Sequence, residues 1–91
     1  MIFELLSNGA GQSKMSDLRM PLMIDDAYEP ATANMTIAYK DISVISEDIK
    51  SNKCSTPLFD VTQKLYDVAK KGVPITYDTG AVYEVYKQKL V

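Results

Sequence analysis

Lys40 and Asp41 stand side by side in the stretch ANMTIAYKDISVISEDIKSNKC, residues 33–54, and they are the pair whose chemistry most needs a partner. A lysine ammonium is a compact point charge that can meet an anion or a polar carbonyl. Other chemistries are closed by absence. The chain has no histidine, which removes Ser-His-Asp and Cys-His nucleophilic systems and mixed His/Cys zinc sites. Asp25-Asp26 and Glu47-Asp48 lack the alternating ligand spacing of a calcium loop; both read as solvated surface, and no metal site is expected. The single cysteine, Cys54, cannot make an internal disulfide and reads as a small buried apolar group, although Lys50 and Lys53 stand near it. Gly9-Ala10-Gly11 fits neither the dinucleotide fingerprint nor a Walker A loop. It reads as a helix-to-helix turn whose glycines let backbone approach a neighbour closely. Asp78, in DTGAV, has the ordinary reading of a helix N-cap, worth about 1 kcal/mol.

The elements that would position these residues are helical. MIFELLSNG starts apolar, without a cap, and ends at Asn8-Gly9 as helices do; it reads as the last turns of a longer helix, and the chain as a piece of a longer one. Ser13 caps a second helix with Met15, Leu18 and Leu22 at helical spacing, which Pro21 is expected to kink or shorten. The longest helix runs from about Asn34 to Asn52. Met35, Ala38, Ile42, Ile45 and Ile49 form its core stripe. Lys40 lies about 190° and Asp41 about 70° away from that stripe, so Lys40 is either solvated or turned into a cleft beside Tyr39 and Tyr28. Thr56 and Pro57 open a fourth helix with the stripe Leu58, Val61, Leu65 and Val68. VPITY (73–77) reads as an extended connector. Asp78 caps a last helix that buries Val82, Val85, Tyr86 and Leu90 in some combination. The fold class is all-α, with about five helices.

Ninety-one residues make one small domain. With 46% hydrophobic and 24% charged residues it is ordered rather than disordered. A net charge of −2 and scattered lysines argue against nucleic acid. No apolar run is long enough for a membrane span and no signal peptide opens the chain, so the expectation is a cytoplasmic protein with no membrane partner. A helical core this small is marginal, and packing on another domain or subunit would supply what it lacks.

SNGAGQS-K-M (7–15), R-MP-LM (19–23), YEP (28–30), AYKD (38–41), PL (57–58), LYDVAKKG (65–72) and DTGAV (78–82) together resemble the C-terminal helical domain of the β-hydroxyacid dehydrogenases, the family that includes 3-hydroxyisobutyrate dehydrogenase. The resemblance spans nearly the whole chain in order. It implies a 6-phosphogluconate-dehydrogenase-like C-terminal domain over residues 1–91, whose N-terminal Rossmann domain is absent from this sequence. It implies NAD or NADP as cofactor and a short 2- or 3-hydroxy acid, or its semialdehyde, as substrate. Homo-oligomeric contacts follow from the same likeness. Lys40 would contact the nicotinamide end of the cofactor, with Asp41, and after it Asp78, shaping the pocket. The catalytic lysine beside paired asparagines belongs upstream, so no catalytic residue is assigned and this chain alone should be inactive. Many members carry a phenylalanine seven residues before the lysine, where this chain has Ala33. The alternative reading is a free-standing helical interaction module that dimerises.

Overall fold

The computed structural model describes residues 1–89 and is all-α: five α-helices, one 3-10 turn and no strand among the described residues. Helix α1 (Ile2–Ser7) ends at Asn8, whose φ of −105° is not the left-handed conformation expected there. Gly9 is needed for a different reason: a Cβ on it would stand 2.8 Å from the Leu5 carbonyl oxygen. A Cβ on Gly11 would meet the Leu6 side chain at 3.0 Å. The close approach these glycines permit is therefore to α1 itself.

Helix α2 (Lys14–Asp25) opens with a reciprocal capping box. The Ser16 N–H donates to Ser13 Oγ at 3.0 Å and the Ser13 N–H to Ser16 Oγ at 3.3 Å. Pro21 does not shorten it; the helix runs on to Asp25. Proline removes one donor, and a helix with both ends capped survives the loss of one bond. Ser7 and Gln12 tie α1 to α2 by donating to Asp17 at 2.8 Å each, Gln12 first in holding that carboxyl below its ordinary range. Helix α3 (Met35–Asn52) is capped by the Asn34 side chain, which accepts from the Ile37 N–H at 3.2 Å. The left-handed C-caps fall at Asp26 and Lys53, each with φ of 53°, and neither is a glycine.

Helix α4 (Pro57–Ala69) starts with proline at its first position, as expected. Thr56 makes no side-chain cap bond; its hydroxyl donates to Asp60 Oδ1 at 3.1 Å. Residues 73–77 form turns. They lead to a single antiparallel bridge between Asn34 and Asp78, the 3-10 turn Thr79–Val82, and helix α5 (Tyr83–Lys89).

The buried core is small: Tyr28, Met35, Ala69, Ala81 and Val85, with Tyr39, Leu65, Tyr66, Val73 and Tyr77 packed against it. Tyr28 stacks on Tyr77 with ring centroids 5.4 Å apart, so it is a core residue and not a flank of Lys40. The expected stripes are corrected in part. On α3 Met35 is buried, but Ile45 is 44% exposed. On α4 Leu58 is 85% exposed and Val61 57%, while the inner face is Leu65, Tyr66 and Ala69. Met15 and Leu18 of α2 are open to solvent, and Cys54 is exposed rather than buried. Val85 is buried, Val82 half-buried and Tyr86 exposed; Leu90 lies outside the described residues.

The physical reason is that the core gathers where the start of α3, the end of α4 and α5 converge, leaving the far apolar faces uncovered. The accessible surface is 6647 Å², where a folded domain of 10.1 kDa exposes about 5,300 Å². The surplus is of the order of one partner's share of a protein–protein interface, about 800 Å².

Two predictions follow from this packing. Met35→Ala should cost about 2–5 kcal/mol in urea unfolding, whereas Leu58→Ala should stay within about 0.5 kcal/mol. At α5, Tyr28 donates to Glu84 Oε2 at 2.9 Å and Lys87 lies 2.7 Å from the same oxygen. The Lys87 hydrogen bond above all holds the Glu84 carboxyl below its ordinary value of 4.5; desolvation, next in size, opposes it, and Tyr28 adds a smaller lowering. A depressed carboxyl stabilises the fold above its unfolded pKa and loses that contribution as pH falls through the folded one. Stability measured from pH 5 downward should therefore decline less steeply in Glu84→Gln than in the parent.

Candidate functional site: an open groove around Arg19 and Tyr66

Asp78 is fully buried, and a carboxylate there needs donors. The Gly80 N–H donates to Oδ2 at 2.9 Å, Thr32 Oγ1 donates to Oδ1 at 3.4 Å, and Arg19 Nε lies 3.5 Å from Oδ2. The same Arg19 Nε donates to Thr79 Oγ1 at 2.9 Å, and the Tyr66 hydroxyl donates to the Thr79 carbonyl at 3.3 Å. Gly80 belongs here because a Cβ would press on Asp78 Oδ2 at 3.2 Å and touch Arg19 and Met23. Main-chain bonds fix the frame: the Asp78, Thr79 and Met35 N–H groups donate to the Tyr28, Ala33 and Tyr77 carbonyls, each at 2.9 Å.

Arg19, Tyr66 and Thr79 floor an open, mostly apolar groove in two lobes. One lobe, about 450 Å³, lies between α2 and the 3-10 turn against Met15, Met20, Met23 and Val82. The other, about 270 Å³, reaches Ala33 before α3 and Ile37, Asp41 and Ile42 on it. Asp41 is thus on the groove wall. Lys40, one residue further round the helix, is exposed and outside the wall, and neither residue has an ion-pair partner among the described residues. Ala33, where many members of the resembled family carry phenylalanine, is half-buried and lines the second lobe. The structure therefore brings Asp41 and Ala33 to the groove, leaves Lys40 exposed outside its lining, and puts Asp78 beneath it with its oxygens engaged from within.

Arg19, Tyr66 and Thr79 were not legible as site residues. The one signal available was that Arg19 is the sole arginine of the chain, set on the α2 face that carries Met20 and Met23. Burial, the dominant cause, pushes the Tyr66 phenol above its ordinary value. A second cleft, about 250 Å³, separates α3 from α4 and is polar, lined among others by Ser43, Ser46, Gln63 and Lys70. Beside it the Tyr39 hydroxyl is buried without a hydrogen-bond partner, and Lys70 Nζ lies 5.0 Å from that ring's centroid. Among the described residues no group of three or more His, Cys, Asp or Glu side chains could hold a metal, and no helix is long and apolar enough to cross a membrane.

The domain is all-α, with an open apolar groove that Asp41 lines. Residues 1–86 match a protein family described as the NAD-binding domain of NADP-dependent 3-hydroxyisobutyrate dehydrogenase, and the chain belongs to that family. No curated protein and no solved structure matches it. The family supplies the cofactor class, NAD(P), for the full enzyme. The donor set here fits such a group in part: an unpaired cation, a carboxylate and apolar surface at Ile37 and Val44 can meet an amphipathic dinucleotide, but only from one side.

Removing one partner of a buried ion pair leaves the other uncompensated. Asp78→Ala should therefore cost about 3–5 kcal/mol of stability, and Lys40→Ala no more than about 0.5 kcal/mol, both read by chemical denaturation.

Proposed function

We propose that this chain is the C-terminal helical domain of an NAD(P)-dependent hydroxyacid dehydrogenase, acting with a Rossmann domain that this sequence does not include. Its substrate is a short 2- or 3-hydroxy acid or the corresponding semialdehyde. The observation that carries the reading is the family match; Asp41 lining an open groove and Lys40 exposed without an ion-pair partner among the described residues support it.

A bound NAD(P) would supply hydride-transfer chemistry. The residues of this chain would bind and orient it. Lys40 would offer a positive charge to polar or anionic groups at the nicotinamide end, and Asp41 would help shape the pocket there. The apolar surface of Ile37 and Val44 excludes water beside them. Proton transfer is not supplied here. The Tyr66 hydroxyl is committed to the Thr79 carbonyl, and its raised pKa makes it a poor acid–base partner at neutral pH. The chain alone is therefore inactive, and Asp78 supports the site from below without touching cofactor. The surplus of accessible surface, with Val44, Ile45, Leu58 and Val61 exposed, supports contacts with the Rossmann half and with a second subunit of a cytoplasmic homo-oligomer. The same surplus favours a second reading, a dimerising helical module with no catalytic partner.

In the complete enzyme Lys40→Ala should raise the apparent KM for NAD(P) about tenfold, equivalent to about 1.4 kcal/mol, with unfolding stability unchanged. Kinetics identical to the parent enzyme would overturn the assignment of Lys40, and a chain that never joins a dehydrogenase half would favour the module.

A further inference from the structure

Arg19 is held in an unusual way for a lone arginine on an amphipathic helix. Its side chain is only 13% exposed. Both contacts it makes with Thr79 and Asp78 run through Nε, and among the described residues neither terminal nitrogen donates to any acceptor of the chain. The guanidinium is thus clamped at one edge while its outer fork is unspent, and it lines both lobes of the groove. Rigid placement matters here, because an arginine fork fixed in advance loses little entropy when it takes a planar two-oxygen acceptor.

The surroundings choose the acceptor. The larger lobe sets Met15, Met20, Met23 and Val82 around Arg19, with Ser13, Ser16 and Thr79 as further polar groups and no acidic side chain in its lining. Asp41 faces the other lobe and forms no ion pair with Arg19. Asp78 lies behind the guanidinium and spends its oxygens on Gly80 and Thr32 as well. Apolar thioether walls disfavour a strongly hydrated inorganic anion, and they suit a singly charged anion with an apolar body.

We infer that the larger lobe is a carboxylate site: Arg19 takes the carboxylate of a short-chain acid through its terminal nitrogens, and the methionines cover the acid's carbon skeleton. The choice of a hydroxy acid as probe rests on the function proposed above; the site itself rests on the groove. Arg19 is then a specificity-determining residue that this chain adds to the cleft, selecting acids over neutral alcohols and aldehydes.

Methyl-labelled methionine provides the test. Sodium 3-hydroxyisobutyrate is titrated into the labelled chain while the methyl resonances are followed. Met15, Met20 and Met23 should shift saturably, with affinity on the order of millimolar, while buried Met35 stays still and reports an intact fold. Arg19→Gln should lose the shift. Should that variant disturb Met35, Met20→Glu decides instead, since it leaves the Arg19–Asp78–Thr79 contacts intact and sets a competing carboxylate on the wall. Loss of binding in the variant that decides, with Met35 unmoved, supports the site. Absence of any shift in the parent, undiminished shifts in the variant that decides, or equal shifts with inorganic phosphate overturn it. Because no cofactor is present and Lys40→Ala should titrate like the parent, failure of the dehydrogenase reading and failure of this site give different results.

Discussion

A carboxylate with no access to water is expensive unless donors surround it, and the fold is arranged around meeting that demand at Asp78. The groups that meet it come from three separate stretches of the chain. Arg19 arrives from α2, Thr32 from the segment before α3, and the Gly80 N–H from the turn that Asp78 itself begins. None of these can shift without leaving charge or a polar group uncompensated. The carboxylate thereby sets where α2 lies on the 3-10 turn, and so where the groove opens. The apolar contacts of Met35, Ala69 and Val85 then fill the space beside it.

The rest of the molecule is correspondingly open. Five apolar side chains are buried in the described residues, while Leu58, Val61, Val44 and Ile45 stand in solvent along the outer reaches of α3 and α4. Such a distribution leaves apolar faces open that a second body could cover. On one such face Asp41, Arg19 and Tyr66 line the same groove, brought together by the elements packed beneath them. Rigidity below and exposure above is the arrangement in which a positioned charge can recognise something that arrives from outside.

Local features were the legible ones. Ser13 and Asn34 cap their helices as their side chains dictate, and Pro57 takes the first position of α4, because each depends on residues within a turn of itself. The stripes were half-legible. Periodicity identifies the apolar face of α4, yet Tyr66 and Ala69 rather than Leu58 and Val61 are inside, since spacing says nothing of where the neighbouring element ends. The network of Arg19, Thr79 and Asp78 was illegible for a related reason: its partners lie tens of residues apart, and Asp78 alone already had an adequate local role as a cap. Lys40 and Asp41 took their expected cofactor role from family likeness; Asp41 lines the groove, and Lys40 is exposed outside its lining.

The antiparallel bridge between Asn34 and Asp78 has a topological consequence. The chain departs on α3 and returns after α4 at one point, so residues 35–77 form a closed excursion whose ends are pinned side by side. The entropy of closing such a loop grows only logarithmically with its length, by about 0.6 kcal/mol for each doubling. The exposed turn at Lys53, Cys54 and Ser55 sits at the far tip of that excursion. The helical arm can therefore lengthen or shorten there at small thermodynamic penalty, leaving the pinned base, and the groove built on it, unchanged.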